Sequence, residues 1–440
     1  MAKAEEKARV IGYLPQDNPP PLKLLAFAIQ HVIVMFPATV LVAILTGFDI
    51  SVTLVASGLA TLCFLFITRK RIPLYYGSSF SYIAAVGSVV RTAGVRAAQA
   101  GIVASGLVSI AAGYIIKKFG KETISKVLPP AITGSVAIVI GLTLADDAIL
   151  QASDNWTLSL ITLFATVLFS VYLRGTLGQL SILLGVVVGY VVSLFMGVVD
   201  FSGFSEVALF QIPKFTLPQW NWNAVFAIMP IAIATIPEST AHLYQIDLYV
   251  NNLAERVGRK PQHRISGLLG ENLIGDGIGD MVAGAIGGPA GTNYGENTSL
   301  MAITRNFSIS SLIVAALISI LVGFFGYLAA FVNTIPQAVI GGVSVYLFGV
   351  IGAQGVALMI AEKVSLFKPA SLAVTAMILV IGIGGSFFGN VVPEGGKMAL
   401  FSGNIPIFGM ELPAIATAAI VGILLNLVFV MFKPAEEKDN

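Results

Sequence analysis

Long apolar runs alternate with short polar ones along almost the whole chain. Runs rich in Leu, Ile, Val, Ala, Phe and Gly cover 24–47, 51–68, 97–116, 131–145, 156–173, 177–198, 224–248, 310–332, 336–360, 370–389 and 412–432. Each is near the length at which a helix, rising about 1.5 Å per residue, crosses about 30 Å of hydrocarbon. Three more segments, 75–91, 266–287 and 290–304, are apolar but interrupted by Gly, Ser, Thr, Asn and acidic residues. Counting them predicts an all-α polytopic membrane protein of fourteen spans. Irregular backbone survives at membrane depth only where it faces protein or a cavity. The third and tenth spans, 75–91 and 290–304, are therefore predicted to be broken, each a short extended stretch followed by a half-helix.

Basic residues test that count, because Lys and Arg are retained on the cytoplasmic side during insertion. With fourteen spans and a cytoplasmic start, 21 of the 25 Lys and Arg fall inside, and only Arg91, Arg96, Lys214 and Lys397 fall outside. A missed span would reverse the side of every later loop. Both termini are thus predicted cytoplasmic.

The two halves also echo each other. Pro129-Pro130-Ala131-Ile132-Thr133-Gly134-Ser135-Val136 resembles Pro336-Gln337-Ala338-Val339-Ile340-Gly341-Gly342-Val343, and Tyr76-Gly77-Ser78-Ser79 more weakly resembles Tyr294-Gly295-Glu296-Asn297. Seven spans per half is an odd number, so the halves must run in opposite directions: a 7+7 inverted repeat.

Composition narrows the class. With 56% hydrophobic and 11% charged residues, the chain cannot dress the surface of a soluble protein of 440 residues. A net charge of +2 gives no basic excess for nucleic acid. The single Cys63 cannot form an intramolecular disulfide. Met1–Pro21 is polar and proline-rich and leads into a full span, so it reads as a tail outside the membrane rather than a cleaved signal. No nucleotide-binding loop, metal-ligand cluster or activated nucleophile pair occurs, which points to a gradient-driven transporter without a cofactor rather than a pump or an enzyme.

Carboxylates inside spans carry the chemistry, since each ionised one costs on the order of 3 kcal/mol at mid-membrane. Glu238 follows Pro237, whose ring frees the carbonyl of Ile233, and His242 lies one turn on. Such a pair can share a proton. Glu296 opens the second half of the tenth span. His31, behind Gln30 in the first span, is deep enough to need a partner, and the expectation is that it orients Glu296 or Glu238. Glu271, Asp276 and Asp280 of the ninth span are expected to serve as caps or hinges near its cytoplasmic end.

At these residues the sequence resembles the nucleobase–ascorbate transporter family, also called nucleobase:cation symporter-2, and especially its bacterial uracil permeases. Gln30-His31, Gly77-Ser78-Ser79-Phe80, Glu238 with His242, and the stretch from Gly287 through Arg305 carry the likeness. In the tenth-span signature, Glu296, Asn297, Thr304 and Arg305 match, while Ser299 stands where Gly is usual. Pro237-Glu238-Ser239-Thr240-Ala241-His242 also departs from the common Ala-Glu-His/Asn-x-Gly-His.

Span count and charge place cytoplasmic tails at 1–22 and 433–440 and an extracytoplasmic loop at 201–223. The resemblance implies a core domain of spans 1–4 (23–127) and 8–11 (224–333), and a gate domain of spans 5–7 (128–200) and 12–14 (334–432) able to make a homodimer contact. It further implies a cell-membrane proton symporter for a nucleobase, with Glu at position 296 favouring uracil. Substrate contacts would come from Glu238, Glu296, the backbone N–H groups of Phe80 and Gly295, and the neighbouring Ser79 and Tyr294. Proton coupling would involve Glu238, His242, His31 and Glu296. The alternatives are a xanthine or urate carrier and, further off, an anion exchanger or channel of the same fold.

The charge asymmetry has a direct check. An Arg259→Cys variant should be labelled by an impermeant thiol reagent only from the cytoplasmic side, and labelling from outside intact cells would break the fourteen-span topology.

Overall fold

The computed structural model describes residues 12–120, 126–204, 207–259, 264–386, 404–407 and 410–432. Most of the predicted tails, the last three residues of the 370–389 run, and Lys121, Lys260 and Lys397 lie outside the described residues.

The first half holds α1 (Pro21–Thr46), α2 (Ile50–Ile67), strand β1 (Tyr76–Ser78), α3 (Ile83–Ala93), α4 (Val95–Phe119), α5 (Pro130–Thr143), α6 (Ala145–Ala152), α7 (Trp156–Tyr172), α8 (Gly175–Gln179) and α9 (Ser181–Phe195). After a long connection come α10 (Trp222–Ile228), α11 (Ile231–Arg256), α12 (Leu269–Ile286), strand β2 (Gly291–Asn293), α13 (Gly295–Thr304), α14 (Ile309–Gly323), α15 (Gly326–Asn333), α16 (Gln337–Ala361), α17 (Pro369–Leu379), the hairpin β3 (Asn404–Ile407) and β4 (Met410–Pro413), and α18 (Ala414–Met431).

Local chemistry sets the boundaries. Gly47, at φ 77°, ends α1, and Asp49 caps α2 by accepting from the Val52 amide at 2.9 Å. Asn155 caps α7 in the same way, and Pro21, Pro130 and Pro369 occupy first helical positions, where a missing N–H costs nothing. The apolar runs are less continuous than hydropathy suggests. The run at 224–248 is split at Met229–Pro230 into α10 and α11, 310–332 divides into α14 and α15, and 177–198 begins with the separate α8. Hydropathy registers composition, whereas a one- or two-residue helix break leaves composition unchanged.

Among the described residues, seven helical stretches are both long and apolar enough to cross a bilayer, and five shorter apolar ones accompany them. Lipid gives apolar side chains no reason to prefer each other, so helices associate by close packing. Small residues provide it. On the α4–α12 face, a Cβ at Gly106 would lie 2.3 Å from the Gly277 carbonyl oxygen, and one at Gly277 would lie 2.3 Å from that of Gly106. A turn or two along, Gly113 and Gly270 repeat the contact. Between α2 and α14, Gly58 faces the Ala316 carbonyl at 2.5 Å and Gly323 that of Ser51 at 2.7 Å. The second span of each half thus packs on the fourth span of the other, as an inverted repeat requires. Gly355 of α16 meets the Gly134 carbonyl of α5 at 2.6 Å, joining the fifth and twelfth spans.

Gly106→Ala should therefore lower stability by about 1–3 kcal/mol, because the new methyl can be housed only by moving α4 off α12. Gly267→Ala, with nothing within 4 Å of its Cβ position, should stay within about 0.5 kcal/mol. Melting of the detergent-solubilised proteins compares the two, and equal melting points would show that the α4–α12 contact is loose.

Candidate functional site

The two interrupted segments meet. Strands β1 and β2, one from each half, pair antiparallel with Tyr76 opposite Asn293, Gly77 opposite Thr292 and Ser78 opposite Gly291. The ladder continues at both ends, from the Ser79 amide to the Ala290 carbonyl at 3.0 Å and from the Tyr294 amide to the Tyr75 carbonyl at 2.9 Å. Glycine is needed at the crossing: a Cβ at Gly77 would strike the Tyr294 ring at 2.3 Å, and one at Gly291 the Gly77 carbonyl at 2.2 Å. Counted along the two strands, Tyr76–Ser78 and Gly291–Asn293, Ser79 corresponds to Tyr294 and Phe80 to Gly295. The likeness of Tyr76-Gly77 to Tyr294-Gly295 in sequence is thus three residues out of phase with the fold.

Beyond the strands the chain turns helical at once. Phe80–Tyr82 forms a 3₁₀ turn that leads into α3, and α13 starts at Gly295 with Tyr294 as its N-cap. The amides of Phe80 and Gly295 donate no hydrogen bond among the described residues, as expected for a first helical turn. Glu296, in the first turn of α13, sits where the helix dipole favours an anion.

Around these helix ends the side chains fall into two groups. Phe80, Ser81, Glu238, His242, Gly295 and Glu296 are half-buried, whereas Ser79, Tyr294, His31, Asn293, Asn297, Asp276 and Asp280 are fully buried. The half-buried group presents the chemistry. Ser81 Oγ donates to Glu238 Oε2 at 3.3 Å, the Glu296 carboxyl lies within electrostatic reach of Glu238, and His242 Nε2 lies 2.9 Å from where a Gly295 Cβ would stand. Tyr294 turns its hydroxyl away to Thr39 Oγ1 at 2.9 Å and lays its ring on Gly77, forming a wall.

Two expected pairings are different in the structure. His31 contacts neither glutamate; its Nδ1 lies 3.1 Å from Asn297 Nδ2, which also donates to the His31 carbonyl at 3.2 Å. His31 therefore orients the residue beside Glu296 rather than Glu296 itself. Glu238 and His242, although one turn apart, share no hydrogen bond, and His242 Nδ1 is buried with no partner. On a helix, side chains at i and i+4 can both lean toward a common cavity without touching.

The acids of the ninth span are the larger correction. Glu271 does stay at the helix end, near Lys117 (3.3 Å) and Arg71 (3.8 Å). Asp276 and Asp280, expected as caps or hinges, instead lie under the strand crossing. Asp280 Oδ1 accepts from Tyr76 Oη at 2.6 Å and from the Gly291 amide at 2.8 Å, so it binds one strand from each half. Asp276 Oδ2 accepts from Ser239 Oγ and from Asn293 Nδ2, the latter at 3.2 Å, and Asn272 Nδ2 reaches the same Ser239 Oγ at 2.8 Å. This network connects the residue after Glu238 to strand β2. Ser239, Asn272, Asn293 and Tyr76 were not among the expected site residues; the i, i+4 spacing of Asp276 and Asp280 on a glycine-rich helix is the signal that could have pointed to them.

Known proteins resemble the chain in sequence and in fold. The sequence profile of a family described as "Permease family" matches residues 22–390. The chain is 37% identical to the uracil permease of Bacillus caldolyticus over 94% of this chain and 93% of that protein. It is 35% identical to that of Escherichia coli strain K12, with 96% and 94% covered. Among solved structures, murine solute carrier 26 family member A9, an anion transporter in the inward-facing state, aligns over 98% of this chain and 73% of that one, with a TM-score of 0.65 at 11% identity. The transmembrane domain of the cyanobacterial bicarbonate transporter BicA aligns over 84% and 99%, with a TM-score of 0.56 at 16% identity. These structures share the 7+7 fold.

The Asp280 bridge has a measurable consequence. Asp280→Ala leaves the Tyr76 hydroxyl and the Gly291 amide without an acceptor, at about 1–3 kcal/mol for each buried donor, whereas Asp280→Asn keeps an oxygen for both. Melting in detergent should therefore rank wild type, then Asp280→Asn, then Asp280→Ala; an alanine variant as stable as wild type would remove the bridge from the account.

Proposed function

The chain belongs to this permease family, the nucleobase–ascorbate transporters, and from that premise we propose that it is a proton-coupled importer of uracil. The observation that carries the proposal is the half-buried set at the strand crossing: two carboxylates, Glu238 and Glu296, together with two unpaired amides, Phe80 and Gly295. Uracil offers two ring N–H donors and two carbonyl acceptors, so this set can satisfy all four groups. Tyr294, with Ser79 as a further neighbour of the solute, supports one side of the ring.

Two carboxylates near each other also supply the coupling. A proton on either one removes a charge and leaves the other as acceptor, so solute and proton occupy the site together. His242, whose Nδ1 is unpartnered and whose Nε2 lies 2.9 Å from the Gly295 Cβ position, is the neighbouring group able to pass that proton on. His31 acts through Asn297. The alternative of a xanthine carrier draws on Ser299 and Ala290, whose small side chains leave room for a larger base. The anion transporters of the same fold support no anion substrate here, because two acids at the site repel one. The proposal places both termini in the cytoplasm, the chain in the cell membrane, and the dimer contact, if the protein pairs, on spans 5–7 and 12–14.

Uptake of labelled uracil into proteoliposomes tests the reading. A proton gradient should drive accumulation, and collapsing it should abolish accumulation. Glu238→Gln, whose amide cannot take up and release the coupled proton, should accumulate none. Methylating either ring nitrogen should weaken competition about tenfold or more, the size of one lost buried hydrogen bond. Stronger competition by xanthine than by uracil would reassign the substrate, and uptake indifferent to the gradient would remove the coupling.

A further inference from the structure

The N-terminal segment just before α1 is not a free tail. The Tyr13 amide donates to the Arg305 carbonyl at 2.8 Å, the Phe307 amide to the Tyr13 carbonyl at 2.8 Å, and the Ile309 amide to the Pro15 carbonyl at 3.1 Å. Ser308 Oγ adds a bond to the Asp17 carbonyl at 2.6 Å. Residues 13–17 thus run along the link between α13 and α14, through a bridge from Tyr13 to Asn306 and a turn in which the Asp17 amide donates to the Leu14 carbonyl at 2.9 Å. Arg305 itself adopts φ 53°, the left-handed conformation that is uncommon for a residue with a side chain, and this turn is what presents its carbonyl to Tyr13. The Asp17 carboxylate, already held by the Leu14 amide at 2.8 Å, receives Arg259 Nη1 at 2.9 Å on both oxygens. Arg259 follows the end of α11. Gly12 is pressed between Arg305 and Leu253 of α11, where a Cβ would come within 2.5 Å of the Arg305 carbonyl.

Three elements are gathered by these contacts: the end of α11, which carries Glu238 and His242; the end of α13, which carries Glu296; and the start of α1, which carries His31. Helix α13 has only ten residues. Its first turn is held by the strand crossing and its last by residues 13–17, about 14 Å away at the rise of a helix. A helix that short has little stability of its own and relies on such contacts at its ends. We propose that residues 13–17 clamp α11 to α13 and that Asp17 and Arg259 are a positioning pair, setting the separation of Glu238 and Glu296 for the bound solute. The inference rests on those two glutamates being substrate ligands.

The test uses the full chain with Asp17→Asn, Arg259→Gln, and the exchanged pair Asp17→Arg with Arg259→Asp. Asp17→Asn keeps an oxygen for the Leu14 amide and removes only the charge. Each single change should raise the KM for uracil about threefold, the scale of one half-exposed ion pair, and the exchanged pair should recover part of it. Hydrogen exchange of the amides at 295–309 should quicken in the single variants. Unchanged KM with unchanged exchange would overturn the clamp. A lower melting point with KM unaltered would also overturn it, leaving Asp17 and Arg259 as a merely stabilising pair. The exchange measurement does not depend on the solute, so a chain that fails to move uracil would overturn the functional reading while exchange at 295–309 still decides the clamp.

Discussion

Backbone amides and carbonyls in hydrocarbon must find partners within the protein, and the rest of this architecture follows from how two segments meet that demand. Neither β1 nor β2 can pair with its own neighbours, since each is a three-residue strand flanked by helix. They pair with each other, and in doing so bring two helix N-termini to one place in the middle of the protein. The unpaired amides that remain there are the first-turn donors no helix can satisfy internally, and the side chains arranged about them accept where those amides donate.

Much of the supporting structure keeps that crossing in register. Asp280 accepts from one strand through a tyrosine hydroxyl and from the other through a backbone amide. Asp276 ties Asn293 to Ser239 and so to the helix bearing Glu238. Glycine faces on α4, α12, α2 and α14 bring backbones close enough to hold these helices around the strands without a hydrophobic driving force. The fully buried acids hold the crossing together, and the half-buried Glu238 and Glu296 stand beside the two helix N-termini.

The sequence was informative where physical chemistry leaves a periodic or compositional mark. Span-length apolar runs located the helices, interruption by Gly, Ser and Asn located 75–91 and 290–304, and a charge at membrane depth singled out Glu238 and Glu296. It was silent where the outcome depends on the third dimension. Nothing linear distinguishes His31 facing Asn297 from His31 facing Glu296, because adjacent residues at the start of α13 point to different neighbours. The place of Asp276 and Asp280 depends on α12 lying directly beneath the strands, so counting residues from the helix end put them too close to the membrane surface. The Tyr-Gly identity sets the repeat three residues out because the strand positions, 76–78 and 291–293, are defined only by the folded chain.

The crossing also bears on how such a chain can be made. Strand β2 leaves the ribosome more than two hundred residues after β1, a delay on the order of ten seconds or longer at about 5–20 residues per second. Through that interval β1 must sit in or beside the bilayer without the partner it will finally have. Helix α2, synthesised just before it, serves the edge that faces away from β2: Ser57 and Thr61 hydroxyls donate to the Tyr76 carbonyl at 2.8 and 3.1 Å, and Thr61 accepts from the Tyr76 amide at 3.1 Å. Only the edge carrying the Tyr75 carbonyl and the Ser79 amide waits for the second half of the chain.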